Sequence, residues 1–183
     1  MTRTCALYAL PAALCGCGAG AWQPTTPPGV AMGTMAVTST SFATNGPIPV
    51  DNTCDGLDKS PQLTWSAPPS ATKGLAILME DPDAPGGTFT HWVAVDLRPD
   101  TLTLSEGADP ATAAGGIDGT NDAMRSGYSG PCPPRLEIHH YVFRVFALDA
   151  RIGPRGAESR GAFEQALGGH VLAQGAVVGT FSH

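Results

Sequence analysis

Charge is what this sequence is short of. Only 14% of its 183 residues are Asp, Glu, Lys or Arg, ten basic against sixteen acidic, and no basic run occurs anywhere. Nucleic acid is thereby set aside as a partner, because phosphate backbones are held by clustered Lys and Arg. No apolar run reaches the length that spans a bilayer. Neither an HExxH nor a GxSxG motif is present, and Ser129 in Gly127-Tyr128-Ser129-Gly130 lacks the strand–turn–helix context of a nucleophile elbow. Internal repeats are also missing.

Glycine and proline are plentiful by contrast, 23 and 17, while 42% of the residues are hydrophobic. Such a chain can bury a core but must turn often and keep few long helices, which predicts one β-dominated domain. Residues 1–21 read as an export signal: Arg3 near the start is followed by a short apolar stretch, Ala6 to Leu14, too short to cross a membrane as a mature helix. Two processing signals compete there. Leu14-Cys15-Gly16-Cys17 resembles a lipobox with Cys17 as the lipidated residue, and Ala19-Gly20-Ala21 offers small-residue cleavage before Trp22. Residues 22–33, rich in proline, then read as a tether, which favours the lipid anchor, and residues 34–183 as the domain. The expected location is extracytoplasmic, in the periplasm or cell envelope. Cleavage also leaves Cys54 and Cys132 as the cysteines of the folded part. In an exported domain two cysteines read as a disulfide, although two buried free thiols are the plain alternative.

Along the domain, Met35 to Ser39 and Leu63 to Trp65 read as short strands. Leu75–Met79, His91–Leu97 and Tyr141–Leu148 read as central strands covered on both faces, because they are apolar at nearly every position. Apolar residues at three- and four-residue steps predict a helix over Glu158–Ala173 with Ser159 as its N-cap, weakened by Gly168-Gly169 inside it. A last strand is expected over Ala176–Phe181. The stretch from 98 to 134 is long, irregular and rich in Gly, Asp, Asn and Pro, which points to a loop that lines a site.

Three segments carry chemistry. Asp81-Pro82-Asp83-Ala84-Pro85 stiffens a turn after a buried strand, and its carboxylates can cap the turn or hold a ligand. His91, ten residues on, is expected to meet Asp81, which would orient the ring and raise its pKa. Alternation along His139-His140-Tyr141 puts His139 and Tyr141 on one face, while Gly130 would let a ligand approach the backbone.

Taken together, Asp81-Pro82-Asp83-Ala84-Pro85, His91-Trp92, and Gly130-Pro131-Cys132-Pro133-Pro134 followed by His139-His140-Tyr141 resemble the pocket segments of the phosphatidylethanolamine-binding proteins, in their bacterial Raf kinase inhibitor-like branch. Cys54-Asp55-Gly56, Ser60 to Trp65 and Gly169 to Ala173 extend the resemblance over Met35–Phe181. It implies a two-sheet β-sandwich with one or two peripheral helices, and ligand positions at Asp81, Pro85, His91, Gly130, Pro131, His139 and Tyr141. No catalysis, metal or cofactor is implied, and regulation of an unidentified protein partner only loosely. Arg135-Leu136-Glu137-Ile138 departs from the pattern, since many relatives carry a glycine-containing turn there, and Arg135 can add positive charge. The leading expectation is a module that binds a small phosphate-like anion. Against it stand a hydrolase using Asp81, His91 and His139 as metal ligands or proton-transfer groups, and a structural lipoprotein with a vestigial pocket.

Overall fold

The computed structural model describes residues 22–183, so the signal and Cys17 expectations lie outside the described residues. Ten strands follow in chain order: β1 (Gly33–Thr34), β2 (Val37–Thr38), β3 (Gly46–Pro47), β4 (Leu63–Trp65), β5 (Gly74–Asp81), β6 (Phe89–Leu97), β7 (Thr103–Leu104), β8 (Ile117–Asp118), β9 (His139–Leu148) and β10 (Val171–Phe181). Two helices accompany them, α1 (Pro110–Ala114) and α2 (Arg160–Leu167). Seven strands form one sheet in the order β1-β10-β9-β5-β6-β8, with β3 also on β10, and β2-β4-β7 form a second.

The large sheet is buried on both faces, which is why its central strands read as continuous apolar runs. Leu75, Ile77 and Met79 of β5 point with Phe143 and Val145 of β9 toward the small sheet, where Leu63, Trp65 and Val37 meet them. Ala76 and Leu78 point the other way, into a cluster with Phe146, Phe163 and Leu167 beneath α2. The two-sheet architecture with peripheral helices is therefore as expected, and so is a disulfide between Cys54 and Cys132, whose Cα atoms are 5.5 Å apart.

Several boundaries differ from the sequence reading. The helix predicted to Ala173 ends at Leu167, capped by Gly168, and Gly169 takes a left-handed φ of 77°. Glycine adopts that conformation without steric cost, so the pair stops the helix rather than bending it. Val171 then opens β10, an eleven-residue strand against β9, where only Ala176–Phe181 had been expected. At the other end Ser159 caps α2 as predicted, its Oγ accepting from the Ala162 N–H. The single strand expected near Met35 is two short ones on different sheets, β1 on β10 and β2 on β4.

Nor does the proline-rich tract hang free. Trp22 stands edge-on to Phe146 with ring centroids 6.1 Å apart. The Thr25 carbonyl accepts from the Val171 N–H at 3.2 Å, and the Thr25 hydroxyl oxygen accepts from the Gly169 N–H at 2.8 Å. Trp22 and Met32 cover apolar surface of the outer cluster, and that burial outweighs the freedom of a chain with few hydrogen bonds of its own.

Candidate functional site

The end of β5 and the starts of β6 and β9 lie side by side, so Asp81, His91 and His139 converge although 58 residues separate the first from the last. They open into a cleft of about 540 Å3 that is also lined by Pro85, Phe89, Arg125, Ser129, Gly130 and the Cys54–Cys132 bridge.

Asp81 does not pair with His91. Its Oδ2 lies 2.7 Å from His139 Nδ1, with the two side chains 5% and 3% exposed, and its Oδ1 accepts from the Asp83 N–H. Asp83, the second carboxylate of the turn, accepts from both the backbone N–H and Nδ1 of His140 and so ties the start of β9 to the turn after β5. That contact with His140 holds the Asp83 carboxyl below the usual aspartate range, outweighing the small effect of its burial.

His91 reaches the cleft through an irregularity that alternation does not predict. Met79 pairs with Trp92 while Glu80 pairs with Thr90, which leaves His91 as the extra residue of a bulge. Strict alternation from Val93, an outer-cluster residue, would have sent His91 to the outer face. A bulge sets two residues against one and re-aims a side chain. Here it turns the imidazole toward Tyr141, ring centroids 5.3 Å apart. His91 Nδ1 lies 2.8 Å from the Ser129 carbonyl oxygen. A carbonyl only accepts, so Nδ1 carries the proton and Nε2 is left as an acceptor in the neutral ring.

The histidines therefore differ in charge. Burial pushes the His91 pKa below its ordinary value, more than the Ser129 carbonyl and the charges of Asp81 and Asp122 raise it. Burial also depresses His139, but the Asp81 carboxylate, then Glu137 and Asp83, carry its pKa above the ordinary value. Near neutral pH the cleft thus joins an imidazole biased toward the charged form to a neutral one.

Tyr141 packs against the rings of His91 and His139 but lies outside the cleft lining. It is fully buried, and its hydroxyl finds no hydrogen-bond partner. Burial raises its pKa well beyond the ordinary phenol value, so it stays a proton donor. Pro131 is buried behind the wall, its carbonyl accepting from the Cys54 N–H. Gly130 lines the cleft and also sits against a second loop: a Cβ there would fall 2.8 Å from Asn52 O and from an Asp58 oxygen. Its N–H donates to Asp58, so this glycine lets two loops touch.

Some lining residues escaped the sequence reading. Arg125 is the guanidinium of the cleft, donating to Ser129 Oγ at 2.7 Å and lying 3.5 Å from Asp58. Its only signal was a cation within the loop expected to line a site, whereas Arg135, singled out earlier, is exposed and outside the cleft lining. Phe89 packs against His91 at 4.9 Å, which follows from β6 starting two residues earlier than expected. Glu137, on the segment that departs from the family pattern, places Oε2 3.2 Å from His139 Nε2.

The chain belongs to the phosphatidylethanolamine-binding protein family, whose model matches residues 38–182. A UPF0098 protein of Aquifex aeolicus is 43% identical over 150 residues, covering 80% of this chain and 88% of its own. A Mycobacterium tuberculosis protein named "Putative lipoprotein LppC" is 36% identical over 192 residues, covering 94% of this chain and 92% of its own. Among solved structures, Escherichia coli YbcL, described as a new member of the mammalian PEBP family, superposes with a TM-score of 0.75 at 30% identity, over 81% of this chain and 98% of YbcL. The Chlamydia trachomatis homolog CT736 superposes at 0.74 with 33% identity, over 82% of this chain and 98% of its own.

Proposed function

We propose that this protein works outside the cytoplasm as a binding module whose cleft takes a small anionic group of the phosphate class. The observation that carries the reading is the buried Asp81–His139 pair. It fixes a cationic imidazole by one nitrogen and leaves the other, Nε2, facing a carboxylate oxygen of the chain itself. Arg125, and neutral His91 as an acceptor, supply the remaining polarity for an oxyanion that keeps a proton.

The same contacts argue against hydrolysis. His91 meets the carbonyl rather than the hydroxyl of Ser129, and that hydroxyl oxygen accepts from Arg125, so no base activates it. Asp81 and His139 spend facing atoms on each other rather than presenting them to a common metal. Among the described residues the cluster with metal-like spacing is Cys54, Cys132 and His183, and a disulfide already occupies its two sulfurs.

Inorganic phosphate tests the reading by calorimetric titration. Five heavy atoms supply at most about 7 kcal/mol, part of which goes to desolvating ion pairs, so a dissociation constant on the order of millimolar is expected. His139→Ala should remove most of the heat. A titration indifferent to that substitution overturns the assignment.

A further inference from the structure

The strand that brings His139 into the cleft is preceded by a four-residue turn, Pro134 to Glu137, closed by the Glu137 N–H donating to the Pro134 carbonyl at 3.2 Å. Its third residue, Leu136, has a φ of 71°. A turn with positive φ at that position favours glycine, and a leucine held there is strained. Leu136 gains no burial in return, being 94% exposed. What the turn achieves is the placement of the next side chain: Glu137 reaches back and sets Oε2 at 3.2 Å from His139 Nε2. The Glu137 side chain is 54% exposed, so solvent can replace it readily, whereas the imidazole it covers is 3% exposed.

We propose that Glu137 is an internal competitor for the anion site, an affinity-setting residue whose carboxylate holds the position on His139 Nε2 that an incoming oxyanion must take. The inference rests on the anion-binding reading and gives it an affinity threshold. A monocarboxylate brings no more charge than the group it displaces and has only Arg125 and His91 to gain. A phosphate monoester carries additional oxygens and up to twice the charge, so it displaces Glu137 more readily. Displacement costs every oxyanion the same free energy, so the resident group sets a threshold that a ligand's own contacts must exceed, and a phosphate-class ligand has more of them than an acetate-class one. The charges facing His139 are Asp81 at the end of β5, Asp83 in the following turn and Glu137 itself.

The experiment compares the full folded domain with its Glu137→Gln and Glu137→Ala variants, titrated with inorganic phosphate and with acetate at about pH 6, where a histidine remains largely protonated. A half-exposed ion pair sets the scale, so both variants should bind phosphate about three- to fivefold more tightly. Their affinity for acetate should rise by the same factor, because the group displaced is the same. In parallel, an NMR titration of His139 should show its pKa falling in both variants, which reports the contact independently of any ligand. Phosphate affinity that is unchanged or weaker in the variants overturns the competitor while leaving the anion site standing. An unmoved His139 pKa overturns the contact. Phosphate that binds neither the parent nor the variants overturns the anion reading together with the proposal built on it.

Discussion

His91 and His139 enter one cleft with opposite charge preferences, and burial explains only the first. Both rings are nearly excluded from water, which by itself disfavours an imidazolium. Asp81, joined by Glu137 and Asp83, reverses the outcome for His139, because these carboxylates together return more than desolvation removes. The sign of the pH dependence follows. A folded-state pKa above the unfolded value means that His139 adds stability below the unfolded histidine range, about 6.5, and that this stability is lost as pH rises through the raised folded value. Phosphate affinity should decline over the same window if His139 supplies the charge. NMR titration of the His139 ring beside calorimetry at stepped pH checks both, and an affinity that stays flat while His139 deprotonates would show that the cation is not needed. Asp83 acts in the opposite direction, with stability present above the unfolded aspartate range and lost on acidification, but its half-exposed side chain makes the effect small.

At the scale of elements, turns and bulges decide what the strands present. Leu136 offers a direct test, since a left-handed residue other than glycine costs about 1–2 kcal/mol, while glycine's extra freedom in the unfolded chain costs about 0.5–1 kcal/mol. The first is the larger, so Leu136→Gly should stabilise the domain by about 0.5–1 kcal/mol, read from denaturant midpoints. Destabilisation would mean that Leu136 makes contacts in solution that its exposure does not suggest. Legibility in the sequence followed the same division. The central strands could be read because both their faces are apolar, and α2 because its N-cap and periodicity are local. The bulge at His91 could not be read, since it exists only as a mismatch between β5 and β6. The early end of α2 was written in Gly168-Gly169, but apolar residues beyond the pair continued the helical spacing while in fact belonging to β10.

The whole molecule is held at the cleft by a covalent tie. The Cys54–Cys132 bridge closes a loop of 78 positions and forms part of the cleft wall. The chain-entropy model gives such a loop about 4 to 5 kcal/mol, and measured values commonly fall at about 2–4 kcal/mol. A Cys54→Ala, Cys132→Ala double variant should therefore melt several degrees lower in calorimetry. The wall should still close, because the Gly130–Asp58 and Tyr128–Asn52 hydrogen bonds join the same two loops. An unchanged melting temperature would show that the bridge is not formed in the isolated protein. Attachment belongs to this scale as well. If Cys17 is lipidated, the protein should sediment with membranes and Cys17→Ser should release it or block its maturation, whereas a soluble exported protein beginning at Trp22 would decide for simple cleavage. Trp22, seated on Phe146, follows Cys17 by five positions, which reach at most about 18 Å when fully extended. A lipid anchor would therefore hold the α2 side of the domain close to the bilayer.

The sequence by itself determined the family, the β-dominated class and the central strands, because apolar coverage of a strand and turn chemistry are carried by neighbours along the chain. It also pointed to part of the cleft lining, Asp81, Pro85, His91, Gly130 and His139, through motifs each confined to a few positions. The tertiary structure alone decided that Asp81 orients His139 rather than His91, that Arg125 rather than Arg135 brings the guanidinium, that Gly130 serves loop contact, and that Glu137 covers the imidazole. Those pairings depend on strand register, a one-residue bulge and the approach of loops distant in sequence. A shift of a single residue in any of them would exchange the partners while leaving every local pattern unchanged.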